Sequence, residues 1–149
     1  MAGGFTLKNN SIEKLEGLLN SFFSTITITE KKKLEIDTSV DLHVINRSLI
    51  EKILEIGPFG QENEEPTLVL KNVKVVYKKI AGKSNKHIFC VLEDFYGKTI
   101  NAIAFNQAYN SLGKILFSEK TFNVAGKLRL YKKKNQSIPQ FIIEDILIL

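Results

Sequence analysis

Asn106-Gln107-Ala108-Tyr109-Asn110-Ser111-Leu112-Gly113-Lys114-Ile115-Leu116 is the one stretch with room for a helix inside the β-rich second half of the chain. On its N-terminal side, β character predicts strands over about 68–80, 86–93 and 98–105. On its C-terminal side it predicts strands over about 121–131 and 139–148. Turn signals separate the strands at Gly82-Lys83-Ser84-Asn85, Tyr96-Gly97 and Asn135-Gln136-Ser137. Five strands with one short helix between the third and fourth is the order of an OB-fold barrel. A split or ferredoxin-like sheet would need a helix after the first strand, and the sequence offers none there.

Upstream of the strands, Leu34-Glu35-Ile36-Asp37 alternates as a short strand would. Asn46 or Ser48 can cap a helix running through about Ile56, with Leu49, Ile50, Ile53 and Leu54 on one side. Gly57 stands at its expected stop, and the loop Pro58–Pro66 separates it from the strands. Further upstream, a helix is predicted over about Ser11–Ser24 from the spacing of Ile12, Leu15, Leu18, Leu19, Phe22 and Phe23. Residues Thr25–Lys33 then act as a connector. A short strand at Gly4–Leu7 has no turn and no partner strand before it, so the expectation is a chain whose N-terminal part is missing or supplied by another polypeptide. The predicted class is mainly β with α. Residues 1–33 form a truncated strand-helix unit with its connector, and 34–149 the barrel domain, with a leading strand and helix over 34–66 and the barrel over 67–149.

The 149 residues, 44% of them hydrophobic, suffice for one buried core and exclude a disordered or fibrous chain. A single cysteine, Cys90, excludes an internal disulfide and any multi-cysteine zinc site. No early apolar run resembles a signal sequence, and Glu144 and Asp145 break the apolar C-terminus, so the expected setting is the cytoplasm with no membrane partner. The net charge of +5 is unevenly spread. Residues 1–66 carry 7 Lys and Arg against 11 Asp and Glu, a balance of −4, while residues 67–149 carry 14 against 5, a balance of +9. A basic barrel behind an acidic leader is the electrostatic footprint of a nucleic-acid-binding module, and a solvated lysine surface is the alternative.

Alternation then places the candidate site. In the second strand Ile88, Cys90 and Leu92 point one way while His87, Phe89 and Val91 point the other. In the fourth, Phe122, Val124, Leu128 and Leu130 alternate with Asn123, Lys127, Arg129 and Tyr131. OB-folds grip single strands on such an outer face and with the loops joining strands one to two and four to five. Here those loops are Ala81–Lys86 and Lys132–Ser137, both lysine-bearing. The candidate nucleic-acid residues are therefore Tyr77, Lys79, Lys83, Lys86, His87, Phe89, Lys127, Arg129, Tyr131, Lys132, Lys133 and Lys134. Phe89 and Tyr131 either stack on bases or cover the barrel ends, and His87 either meets phosphate or pairs within the sheet.

Catalytic patterns are not found. His43 and His87 lie in different units, and Asp37 with Asp41 reads as capping rather than metal binding. Gly82-Lys83-Ser84 lacks the upstream glycine of a phosphate-binding loop and precedes a strand. Cys90 falls on the apolar face and is expected to be inert. No cofactor is expected in this chain.

Several stretches together resemble the C-terminal part of the bacterial RecJ single-strand-specific exonucleases. They are Ala2-Gly3-Gly4-Phe5-Thr6-Leu7, the helix with Ile12 and Leu15, Pro58-Phe59-Gly60 with Asn63, Glu65 and Pro66, Gly82 to His87, Ala102-Ile103-Ala104-Phe105, and Gln140 with Glu144-Asp145. The resemblance implies that residues 1–33 are the end of an α/β DHH-associated domain and that 34–149 are the OB-fold domain that helps hold single-stranded DNA. It also implies a 5′–3′ exonuclease of DNA repair and recombination whose manganese or magnesium is bound by a catalytic domain lying before Met1. The family's substrate-contacting histidine would fall just before Met1 as well. The chain alone is thus expected to hold DNA without cutting it, its partners being single-stranded DNA and a separate chain with the catalytic domains. An independent OB-fold module for single-stranded nucleic acid or for protein is the alternative.

Overall fold

A computed structural model describes residues 6, 12–25, 33–118, 120–133 and 136–148. The chain divides into two compact units, Met1–Lys33 and Leu34–Leu149. In the first, α1 spans Ile12–Thr25, one residue later at each end than the periodicity predicts, and Leu18, Phe22 and Phe23 are exposed. The predicted strand at Gly4–Leu7, apart from Thr6, and the connector between Thr25 and Lys33 lie outside the described residues.

The second unit runs β1 (Thr38–Ser39), a 3-10 turn (Leu42–Val44), α2 (Arg47–Glu55), β2 (Leu68–Ala81), β3 (His87–Glu93), β4 (Thr99–Ala104), α3 (Ser111–Leu116), β5 (Phe122–Lys133) and β6 (Gln136–Ile148). Period-two alternation fixes its faces. Ile88, Cys90 and Leu92 of β3 are fully buried, while His87, Phe89 and Val91 between them are only half-buried. β2 pairs antiparallel with β3, β3 with β4, and β5 with β6, and the β4–β6 contact is parallel. The N-terminal half of β2 also pairs with β5, which closes five strands into a barrel. With α3 between the third and fourth barrel strands, the architecture is the mainly β OB-fold expected from the sequence.

The barrel is filled by Phe122, Phe141, Leu70, Ile88, Leu92, Leu116 and Leu128, all essentially solvent-free. α3 begins at Asn110, whose side chain accepts a hydrogen bond from the Gly113 amide at 3.3 Å. Leu112 and Leu116 then turn inward. The helix ends at Phe117, whose carbonyl accepts from Lys78 Nζ at 2.9 Å. α2 is capped in the same way by Asn46, one of the two residues predicted to do so, through a 2.9 Å bond from the Leu49 amide.

β2 cannot follow the barrel as a regular strand. Leu70 pairs with Val124 and Val73 with Phe122, so three steps on β2 match two on β5. The extra residue lies at Lys71-Asn72, where Asn72 has φ +52° and its amide donates to Asn123 Oδ1 at 2.9 Å. A second bulge inserts Val76 between the Val75–Leu92 and Tyr77–Val91 pairs. Val73 and Val75 therefore face the core, whereas Tyr77 and Lys79, two and four residues further on, face out. A third bulge inserts Glu144 into β6, between the Ala125–Asp145 and Gly126–Ile143 pairs.

Two boundaries differ from the sequence expectation. Leu34–Asp37 is not a strand, because the only β2 partners in reach of this segment are Leu68 and Val69, and these pair in parallel with Thr38 and Ser39. Asp37 instead docks the segment, its amide donating to the Thr67 carbonyl at 3.0 Å and its Oδ2 accepting from the Thr67 amide at 2.8 Å. β6 begins at Gln136, so Gln136 and Ser137, expected in the turn, are strand residues paired with Lys133 and Lys132. No helix among the described residues is long and apolar enough to cross a membrane.

Candidate functional site

Ladder partners share a face of the sheet, so the registers assemble the outer surface row by row. One row runs Lys79, Phe89, Ile103, Ile142 and Lys127 across β2, β3, β4, β6 and β5. The next runs Tyr77, Val91, Asn101, Gln140 and Arg129. Five of the twelve residues predicted as contacts, Tyr77, Lys79, Phe89, Lys127 and Arg129, thus lie in these two rows, and the bulge at Val76 is what turns Tyr77 and Lys79 onto the face.

At the β2–β3 side the aromatics form a cluster. Tyr77 meets Phe89 edge-on, with ring centroids 6.3 Å apart and 68° between planes. Lys79 Nζ lies 5.4 Å from the Phe89 centroid, within cation–π range. Phe89 is half-buried under these neighbours, while Tyr77 keeps 51% of its surface exposed. Tyr77 is thus the freer platform for a stacked ring.

His87 closes the row beside the β2–β3 turn. Its Nδ1 accepts from the Asn106 amide at 3.0 Å, which fixes the neutral ring's proton on Nε2. Its ring meets Phe105 edge-on at 5.2 Å. Gly82, at φ +88°, lies so close that a β-carbon there would sit 2.6 Å from the imidazole Cδ2. His87 Nδ1 is thus taken up by the Asn106 amide just beyond β4, and Gly82 packs against the Nε2 side of the ring. Lys83 and Lys86 are exposed in the same turn.

The β5 cations are held differently. Arg129 Nη2 is 2.5 Å from Glu65 Oε2, and Lys127 Nζ is 3.4 Å from Glu144 Oε1. Glu65 is buried, and among the described residues Glu65 Oε1 and Glu144 Oε2 have no hydrogen-bond partner. Burial therefore pushes the Glu65 carboxyl above its ordinary value, with Arg129 and Lys127 opposing and Glu144 adding to the rise. Part of the β5 positive charge is answered inside the protein. Sequence reasoning missed both pairings. Both acids were named in the resemblance, Glu144 as an acid that ends the apolar run Phe141–Ile143 and Glu65 beside Pro66, but nothing in the sequence marks either as the partner of a β5 cation.

Tyr131 keeps 52% of its surface exposed, and Lys132 beside it is exposed too. Lys133 is described in its backbone, paired with Gln136, and Lys134 lies outside the described residues. Cys90 is buried, and burial pushes its thiol up to about 12, so it stays protonated at neutral pH. Among the described residues no three His, Cys, Asp or Glu side chains are placed to hold a metal ion.

The Glu65 environment predicts a pH signature. A carboxyl raised in the folded state contributes its stability below the unfolded value near 4.5, and that stability is lost as pH climbs through the raised value. Glu65→Gln keeps the shape without the buried charge. It is expected to match the wild type at pH 4 and to exceed it at pH 8 by on the order of 1 kcal/mol. Urea unfolding at the two pH values checks this, and a variant less stable at pH 8 than at pH 4 relative to wild type reverses the sign.

A family model described as the RecJ OB domain matches residues 36–145. The single-stranded-DNA-specific exonuclease RecJ of Bacillus subtilis (strain 168) is 23% identical over 148 residues, covering 97% of this chain and 18% of that protein. The chain thus spans less than a fifth of that relative's length. Among solved structures, asparaginyl-tRNA synthetase of Entamoeba histolytica aligns with a TM-score of 0.49 at 15% identity, over 78% of this chain and 24% of that one.

Proposed function

The chain belongs to the RecJ OB domain family, and from that premise we propose that it binds single-stranded DNA across the outer barrel face, as the strand-holding part of a RecJ-like 5′–3′ exonuclease of DNA repair and recombination. Cleavage, with its manganese or magnesium, is assigned to catalytic domains outside these 149 residues. The observation that carries the reading is the β2–β3 cluster, where an exposed Tyr77 and a Lys79 ammonium stand together on Phe89. A flat ring beside an ammonium meets the two needs of a single strand, a stacking surface and a phosphate counter-charge. The lysines of the 81–86 turn and of the β5–β6 hairpin extend the positive charge at both ends of the face.

Anisotropy titration of a 5′-labelled oligonucleotide against salt tests the proposal. Affinity is expected to fall steeply as salt rises, by about 0.7 logarithmic units per tenfold salt for each phosphate neutralised. Replacing Lys132, Lys133 and Lys134 together by alanine is expected to lower that slope by about 2. An unchanged slope would remove the hairpin from the interface, and the absence of any binding at low salt would remove the function. Incubated alone with manganese, the chain is expected to leave the labelled strand at full length on a denaturing gel.

A further inference from the structure

The β4–β6 ladder is short. It joins Asn101–Ile103 to Gln140–Ile142 and ends beside Pro139, which has no N–H to carry it further. Beyond that point the two strands part, and a cleft of about 230 Å³ opens between Lys98, Thr99 and Asn101 on one side and Ile138 and Pro139 on the other. Leu42 and Ile45 line it as well. Such a volume is below the roughly 300–1,000 Å³ of sites for drug-sized ligands, and suits one planar heterocycle.

Its chemistry is that of a base-edge reader. Asn101 and Gln140 are register partners at the centre of the outer face, both half-buried, and among the described residues neither side-chain amide is engaged by a hydrogen bond. A carboxamide offers an acceptor and a donor side by side, the pattern that pairs bidentately with a nucleobase edge. Ile138 and Pro139 supply an apolar wall for the ring, and Thr99 adds a hydroxyl. The cleft also joins the outer face directly, since Asn101 belongs to the row that runs from Tyr77 to Arg129.

We propose that this cleft takes one unstacked nucleobase of the bound single strand, with Asn101, which lines it, hydrogen-bonding its edge. The inference rests on the single-strand-binding reading above and adds to it a contact to base rather than to backbone. Such a contact has a signature that phosphate and fold do not share. It depends on the base being present, and it leaves the salt slope alone.

The test compares the full chain and Asn101→Leu on two labelled strands of equal length, one of deoxythymidine and one of abasic sugar-phosphate. Asn101→Leu is expected to lose about tenfold in affinity for the base-bearing strand, to keep its salt slope, and to bind the abasic strand as the wild type does. Equal losses on both strands, or no loss on either, overturn the proposal. Thermal unfolding shows whether the variant is folded, and Asn101→Ala carries the same comparison if it is not. A wild-type chain that binds neither strand would instead bring down the DNA-binding reading and this one with it. A wild type that binds both strands while Asn101→Leu changes nothing overturns this one alone.

Discussion

Gly126→Val is expected to abolish the folded barrel, and Gly126→Ala to cost about 3 kcal/mol. Gly126 lies where three strands meet, paired with Leu68 of β2 and with Ile143 of β6. A β-carbon there would run into the Ile142 carbonyl oxygen and touch the Phe141 ring at 3.0 Å. The carbonyl belongs to the β6 backbone and cannot swing aside as a flexible side chain would. Relief therefore requires β6 to move away from β5, and with it the fully buried Phe141 that helps fill the barrel. Because total stability is on the order of 5–15 kcal/mol, a methyl group takes a large part of it and an isopropyl group exceeds what the contact can absorb. Gly60→Ala is the matched control, since a β-carbon there meets no atom within 4 Å, and it is expected to stay within about 0.5 kcal/mol of wild type. Urea unfolding followed by circular dichroism reads all three. Wild-type midpoints for Gly126→Val would show that the strands do not close where the ladders place them.

How much of this was written in the sequence depends on the strand. β3 was legible residue by residue, because seven residues without a bulge keep strict alternation and Ile88, Cys90 and Leu92 all turn inward. The short helix before β5 was legible as well, since Asn110 and Leu116 supply its cap and its buried end. β2 was legible as a strand but not by face. Its two bulges reverse the alternation twice within 14 residues, and a run such as Val75-Val76-Tyr77 does not reveal which residue is the insertion. The register is decided by partners on β3 and β5, far away in sequence. The same holds for the site. Outward-facing Lys127 and Arg129 could be predicted from alternation, yet their carboxylate partners arrive from the loop before β2 and from a bulge in β6. Leu34–Asp37 misled in the opposite direction. It alternates like a strand, but Leu34 and Ile36 stay exposed because β2 offers only two residues for pairing.

Truncating Tyr77 and Tyr131, the two exposed tyrosines among the candidate contacts, is expected to do the greatest damage to binding. Tyr77→Ala and Tyr131→Ala should each weaken single-stranded DNA binding by about 5- to 150-fold, the range of one lost base stack of about 1–3 kcal/mol. Phe89 is the less informative target. Its ring already meets Tyr77 edge-on and the Lys79 ammonium, so removing it disturbs the cluster as well as any stack. Tyr77 and Tyr131 each expose about half their surface, 51% and 52%, so truncation should leave the unfolding midpoint nearly unchanged. They stand on different strands, β2 and β5, and the aromatic partner of Tyr77 is Phe89 rather than Tyr131. With no shared partner among the described residues, the double variant should lose close to the product of the two single losses. Stacking also separates from charge. The tyrosine variants should keep the wild-type salt slope while Lys79→Ala lowers it, and Tyr77→Phe, which retains the ring, should bind as wild type does. Losses below twofold in both single variants would mean that the bases of the bound strand stack elsewhere, and that the outer face grips DNA by charge alone.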